Sequence, residues 1–137
     1  MSKKWLLLTL TMVIMLVCAG CGKEESTAKL NLTVKQLEEF YPGDISKVDH
    51  IEVRSGSTGE LKTYTDKQVV QDWIGKVRHI KLTPDPNQEG RVGFLYSVVL
   101  FEDKEKKLVF TPGGIGGAYY LHSPELVKGI SELFQSK

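Results

Sequence analysis

The stretch Phe94–Glu102, FLYSVVLFE, carries apolar side chains on both of the faces that an extended chain presents. Its residues are β-branched or aromatic, the types that pack well on a pleated surface. A strand of this composition, apolar on both faces, reads as a central strand and not an edge. The rest of the chain must therefore supply it with neighbours on two edges and a layer over its face.

Suitable partners flank it. KVDHIEVRS reads as a strand whose buried face holds Ile51 and Val53, and GSTG then turns the chain into a second short strand, ELKTYT, so the pair forms a hairpin. TDKQVVQDWIGKVRHI follows as the clearest helix. Thr65 and Gln68 have capping-box spacing, and Val69, Val70, Trp73, Ile74, Val77 and Ile80 fall on one stripe suited to lying on a sheet. TPDPNQEGRVG is an irregular connection into FLYSVVLFE. DKEK is the turn into KLVFT, pairing Phe101 with Leu108 and Val99 with Phe110, and PGGIGG leads into AYYLH. Ser123 and Pro124 open a last helix with Leu126, Val127, Ile130, Leu133 and Phe134 on its apolar stripe. Upstream, LNLTVKQLEEFYPGD fits an irregular strand or a short helix ending before Pro42. Short links favour antiparallel neighbours, so the expected fold is α+β. It is a two-layer sandwich with a mainly antiparallel sheet of about five strands, two helices on one face and the other face largely in solvent.

Before this domain stands MSKKWLLLTLTMVIMLVCAGCGKEES. Two lysines, an apolar run from Trp5 to Val17 and small residues before Cys21 are the three parts of a secretory signal. The run is shorter than the roughly 20 apolar residues that a spanning helix needs. Ala19-Gly20-Cys21 resembles the lipobox of bacterial lipoproteins, with Cys18 where leucine is usual. That resemblance implies cleavage before Cys21 and attachment of diacylglycerol to its sulfur, leaving the protein lipid-anchored on the extracytoplasmic face of the cell membrane. Two acyl chains suffice for stable anchoring at about 0.8 kcal/mol per buried methylene. With Cys18 removed, a redox Cys-x-x-Cys pair and an internal disulfide are both excluded from the mature chain. Residues 1–20 are thus expected to be signal, 21–29 the lipidated end and a polar flexible linker, and 30–137 one globular domain. Signal, lipidated cysteine and compact β-rich domain together resemble the small surface lipoproteins of Gram-positive bacteria, of the YhfM-like kind.

Charge narrows the partners. Eighteen basic residues face seventeen acidic ones, and loss of Lys3 and Lys4 with the signal leaves 16 against 17. No basic block is present to neutralise phosphates, so nucleic acid is not an expected partner. The glycines of TPGGIGGAYY lack the Lys-Ser/Thr and the following helix of a phosphate loop, and read as a turn. His50, His79 and His122 are each isolated, with only Glu52 sharing a strand face with His50, and no metal site or cofactor is indicated. No nucleophile elbow or zinc-protease motif occurs, so no catalytic residue is assigned. A hydrolase or modifying enzyme using Asp49, Glu52, Glu60 and Asp85 is the alternative, because paired carboxylates leave no sequence mark. The leading expectation is a non-enzymatic binding module for an envelope protein, a peptide or a cell-wall component. A hairpin at DKEK would bring the loops 83–93 and 112–117 to one edge. That edge would gather Asn87, Gln88, Arg91, Ile115 and Tyr119, a mixture suited to binding.

Overall fold

The computed structural model describes residues 32–136, so the signal segment and Cys21 lie outside the described residues. The elements run β1 (Lys35–Gln36), β2 (His50–Ser55), β3 (Leu61–Tyr64), α1 (Lys67–Val77), β4 (Lys81–Leu82), β5 (Tyr96–Glu102), β6 (Glu105–Thr111), β7 (Gly114–Ile115), β8 (Ala118–Tyr119) and α2 (Pro124–Gln135). Two short 3-10 helices, Leu37–Phe40 and Ile45–Lys47, lie between β1 and β2. The segment before Pro42 is thus both strand and helix, each too short to leave a periodic signature.

Six antiparallel strands form the main sheet in the order β3-β2-β5-β6-β7-β8, while β1 and β4 form a separate pair. The molecule is a two-layer α+β sandwich. β5 is central, bonded along its length to β2 and β6. Its Val98 and Leu100 are buried in one core with Ile51, Val53 and Phe110 of the sheet and with Val70, Ile74, Leu126 and Ile130 of the helices. The helices are joined where the indole N–H of Trp73 donates to the carbonyl of Gly129 at 2.9 Å, an aromatic in the core with its one polar atom satisfied. Val69, by contrast, is exposed, because the stripe of α1 that meets the core is narrower than the sequence pattern suggests.

Three local features differ from expectation. The cap of α1 is Asp66, whose carboxylate accepts from Val69 N at 3.0 Å, and not Thr65: a charged carboxylate both fills the orphan amide and complements the helix dipole. Ser123 caps α2 as expected, with Pro124 following. The β5–β6 turn has two residues, Asp103 and Lys104, with φ of 50° and 67°, the primed geometry whose twist suits a tight hairpin. Phe101 therefore faces Lys106. The register shifts between Leu100 and Phe101, and Leu100 then meets Leu108 and Val98 meets Phe110. The expected pairs, Phe101 with Leu108 and Val99 with Phe110, are one residue out. The observed register is the one that places Val98 and Phe110 in a single row so that both are buried. Lastly, GGIGGAY is itself a hairpin, β7 and β8 around Gly116 and Gly117 at φ of 60° and 80°, which adds a strand to the five expected.

Two stability outcomes follow from this packing. Leu100→Ala should lower the unfolding free energy by about 2–5 kcal/mol in a denaturant titration, since the side chain is fully buried in the central strand. Lys104→Gly should raise it by roughly 0.5–1 kcal/mol, because relief of the left-handed strain exceeds the entropy cost of glycine.

Candidate functional site

The connection from β4 to β5 begins as a strand extension. Leu121 N donates to Thr83 O at 2.9 Å, Asp85 N donates to Tyr119 O at 3.0 Å, and Pro84 bridges Tyr120. Pro84, Pro86, Gly90 and Gly93 then keep the chain out of regular structure. Side chains supply the missing order. Asp85 and Asn87 each accept from the backbone two residues on, at 2.9 Å, closing consecutive Asx turns. The Gln88 amide donates to Tyr119 O at 2.8 Å and accepts from Tyr119 N at 2.9 Å, so it stands in for a peptide group beside β8. Arg91 closes the loop. Its Nη2 donates to Asp85 Oδ2 at 2.7 Å and to Asn87 O at 2.9 Å, its backbone N donates to the Tyr119 hydroxyl at 3.0 Å, and its guanidinium lies 5.2 Å from the Tyr119 ring centre.

Between this loop and the sheet lies a cleft of about 390 Å³, within the range of small-ligand sites. Arg91, Val92, Phe94 and Leu95 form its loop side. Thr111, Pro112, Gly113, Tyr119 and His122 form the other. Two close approaches shape it. A Cβ on Gly56 would stand 1.7 Å from the Phe94 carbonyl oxygen, a backbone clash that only glycine avoids, and one on Gly113 would stand 2.5 Å from His122 Nε2 and turn that ring aside. Gly56 N donates to Leu95 O at 2.9 Å, which fixes the end of the loop on the β2–β3 turn.

Of the five residues expected at this edge, Asn87, Gln88, Arg91 and Tyr119 come together in one bonded cluster. Ile115 does not. It is 4% exposed and belongs to the core. Thr111, Gly114 and Tyr119 share one row of β6, β7 and β8, while Phe110, Ile115 and Ala118 share the next, so alternation turns Ile115 inward as it turns Tyr119 outward. Phe94, Leu95 and His122 were missed. The first two were absorbed into the apolar run FLYSVVLFE, whose paired part starts only at Tyr96, and no spacing rule marks a histidine that meets its neighbours through the fold.

The four carboxylates weighed for catalysis are engaged in different ways. Asp49 accepts from Asp103 N at 3.0 Å, Asp85 holds Arg91, Glu52 lies 3.7 Å from His50, and Glu60 is exposed. His50 stacks on Phe101 with ring centres 4.5 Å apart, and His79 lies 3.1 Å from Glu38. Among the described residues no three His, Cys, Asp or Glu side chains are grouped so as to hold a metal ion, and no helix is long and apolar enough to cross a membrane. A second depression of about 590 Å³ lies near the β5–β6 turn. Two of its polar side chains serve the fold: Glu102 accepts from the Tyr41 hydroxyl at 2.9 Å, and Gln71 donates to Ser46 O and Val48 O. Comparison with protein-family models, curated proteins and solved structures returned no match.

The Asp85 carboxyl is held below its usual value of 3.8, first by the Asn87 amide and then by Arg91. A depressed carboxyl contributes its stabilisation fully above the usual value and loses it as pH falls through the lowered one. The loop tie should therefore persist down to pH 3.8 and loosen only below it. Followed by NMR, the Arg91 and Tyr119 side-chain signals should move together in that acid window, and Asp85→Asn should abolish the transition.

Proposed function

We propose that this protein is a lipid-anchored binding module of the cell envelope, held by Cys21 on the extracytoplasmic face of the membrane, and that its binding site is the cleft under the loop 85–95. The anchor rests on the sequence: a short apolar run after two lysines, ending in Ala19-Gly20-Cys21. The site rests on one structural observation. A loop without regular structure is fastened to Tyr119 by Gln88 and Arg91, and so holds a mixed apolar and polar cleft open at little entropic cost to a ligand. The apolar side groups of Phe94, Leu95 and Pro112 would take an apolar part of an envelope protein, peptide or cell-wall component. The Thr111 and Tyr119 hydroxyls and the His122 ring would orient its polar part.

Arg91 and Tyr119 are poor probes of this reading, because both also hold the loop together. Leu95 is better, since its side chain lines the cleft and is half exposed while its fold contact is through the backbone. Leu95→Asp should reduce photo-crosslinked partner capture in intact cells at least ~10-fold, a loss of about 1.4 kcal/mol, at an unchanged melting temperature. Capture that persists in this folded variant places the site elsewhere. For the anchor, Cys21→Ala should leave full-length precursor that takes up no labelled fatty acid, and a label on that variant contradicts the assignment.

A further inference from the structure

We propose that the loop tip Arg91–Leu95 forms a surface that lies against the lipid bilayer. Val92 is 101% exposed, and Phe94 and Leu95 are each at least two-fifths exposed. Single exposed apolar residues are ordinary on any surface, whereas Val92, Phe94 and Leu95 are concentrated on four consecutive positions of one fastened loop. The bonds of Arg91 to Asp85, Asn87 and Tyr119 stop that loop from folding its apolar groups away from water.

The path of the chain says what covers this surface. β1 and β4 are antiparallel with Lys35 opposite Leu82. The chain that precedes Lys35 and the chain that follows Leu82 therefore leave this pair at the same end. The first leads back through Val34 and Leu32 toward Cys21, and the second leads through Asp85 into the loop. Ten residues, 22–31, separate Cys21 from Leu32, and ten residues fully extended span at most about 36 Å. A diacylglycerol on Cys21 thus keeps a bilayer within reach of the domain at high effective concentration, a step that rests on the anchor proposed above, and the apolar loop tip is the part of its surface suited to meet lipid. The other end of β5 is unsuited to lipid. Residues 102–107, Glu-Asp-Lys-Glu-Lys-Lys, are all charged and occupy the β5–β6 hairpin turn and its flanks. In this orientation the cleft opens at the lipid–water boundary, where its ligand is met beside the membrane.

The test uses the mature lipidated protein reconstituted in vesicles of phosphatidylethanolamine and phosphatidylglycerol, part of the former with brominated acyl chains. Once Cys21 is acylated the mature chain has no free thiol, so Val92→Cys and Lys104→Cys each offer a single site for a fluorophore. The expected result is loss of iodide quenching and gain of bromolipid quenching at position 92, with neither at position 104. Equal iodide quenching at the two positions overturns the proposal. Shielding of position 92 in intact cells but not in these protein-free vesicles also overturns it, and assigns the surface to a protein partner. Fatty acid on Cys21 is scored in the same preparation. Its absence brings down the anchor and this inference with it, whereas a lipidated protein with an open position 92 defeats the orientation alone.

Discussion

Everything in this fold is arranged around β5, buried on its helix-facing side and paired along both edges. Val98 and Leu100 sit fully buried beneath the helices, and both edges of the strand are bonded, to β2 and to β6. A buried apolar side chain of this size is worth about 1.5–3 kcal/mol relative to exposure, so a register that took Val98 or Phe110 out of the core would lose several such terms at once. The tight turn at Asp103 and the irregularity beside Leu100 are what that burial imposes. One short connection forces left-handed backbone at two residues, and the extra residue in β6 restores the pairing of Leu100 with Leu108.

The same sheet produces the cleft. Because β7 and β8 alternate in step with β6, the row that buries Ile115 presents Tyr119 on the other face, where Arg91 and Gln88 fasten the loop to it. The loop is thus ordered by contacts with a strand and not by its own backbone. This explains how a segment with two prolines and two glycines holds a defined wall, and why its apolar residues stay on the surface of the domain. The charge pair inside it is local: Asp85 serves Arg91 and the Asn87 amide, and its lowered pKa reflects that structural task. An acid kept protonated for catalysis would show the opposite shift.

Much of the architecture was legible because it depends on periodicity. The stripe of Leu126, Ile130 and Leu133, the Ser123 cap with Pro124, and the alternation of Ile51 and Val53 are local signals that burial then enforces. The cap of α1 was misplaced by one residue because Thr65 and Asp66 are both good caps, and the choice is settled by which of them sits at the backbone bend. The β5–β6 register was misplaced by one because turn length and bulge cannot be separated in a run of charged residues. Glycine richness disguised the β7–β8 hairpin as a loop, since each of its strands is only two residues long.

The sequence by itself determined the elements that carry a repeat: two amphipathic helices, the central strand and its hairpin neighbours. Repeats are local, and local chemistry is enough to read them. Tertiary structure alone decided that Ile115 points inward and Tyr119 outward, that Gln88 and Arg91 bind a strand some thirty residues away, and that Phe94, Leu95 and His122 face one cleft. These are contacts between segments far apart along the chain. Their geometry follows from register and twist, quantities set by the packing of the whole core and by no neighbouring residue.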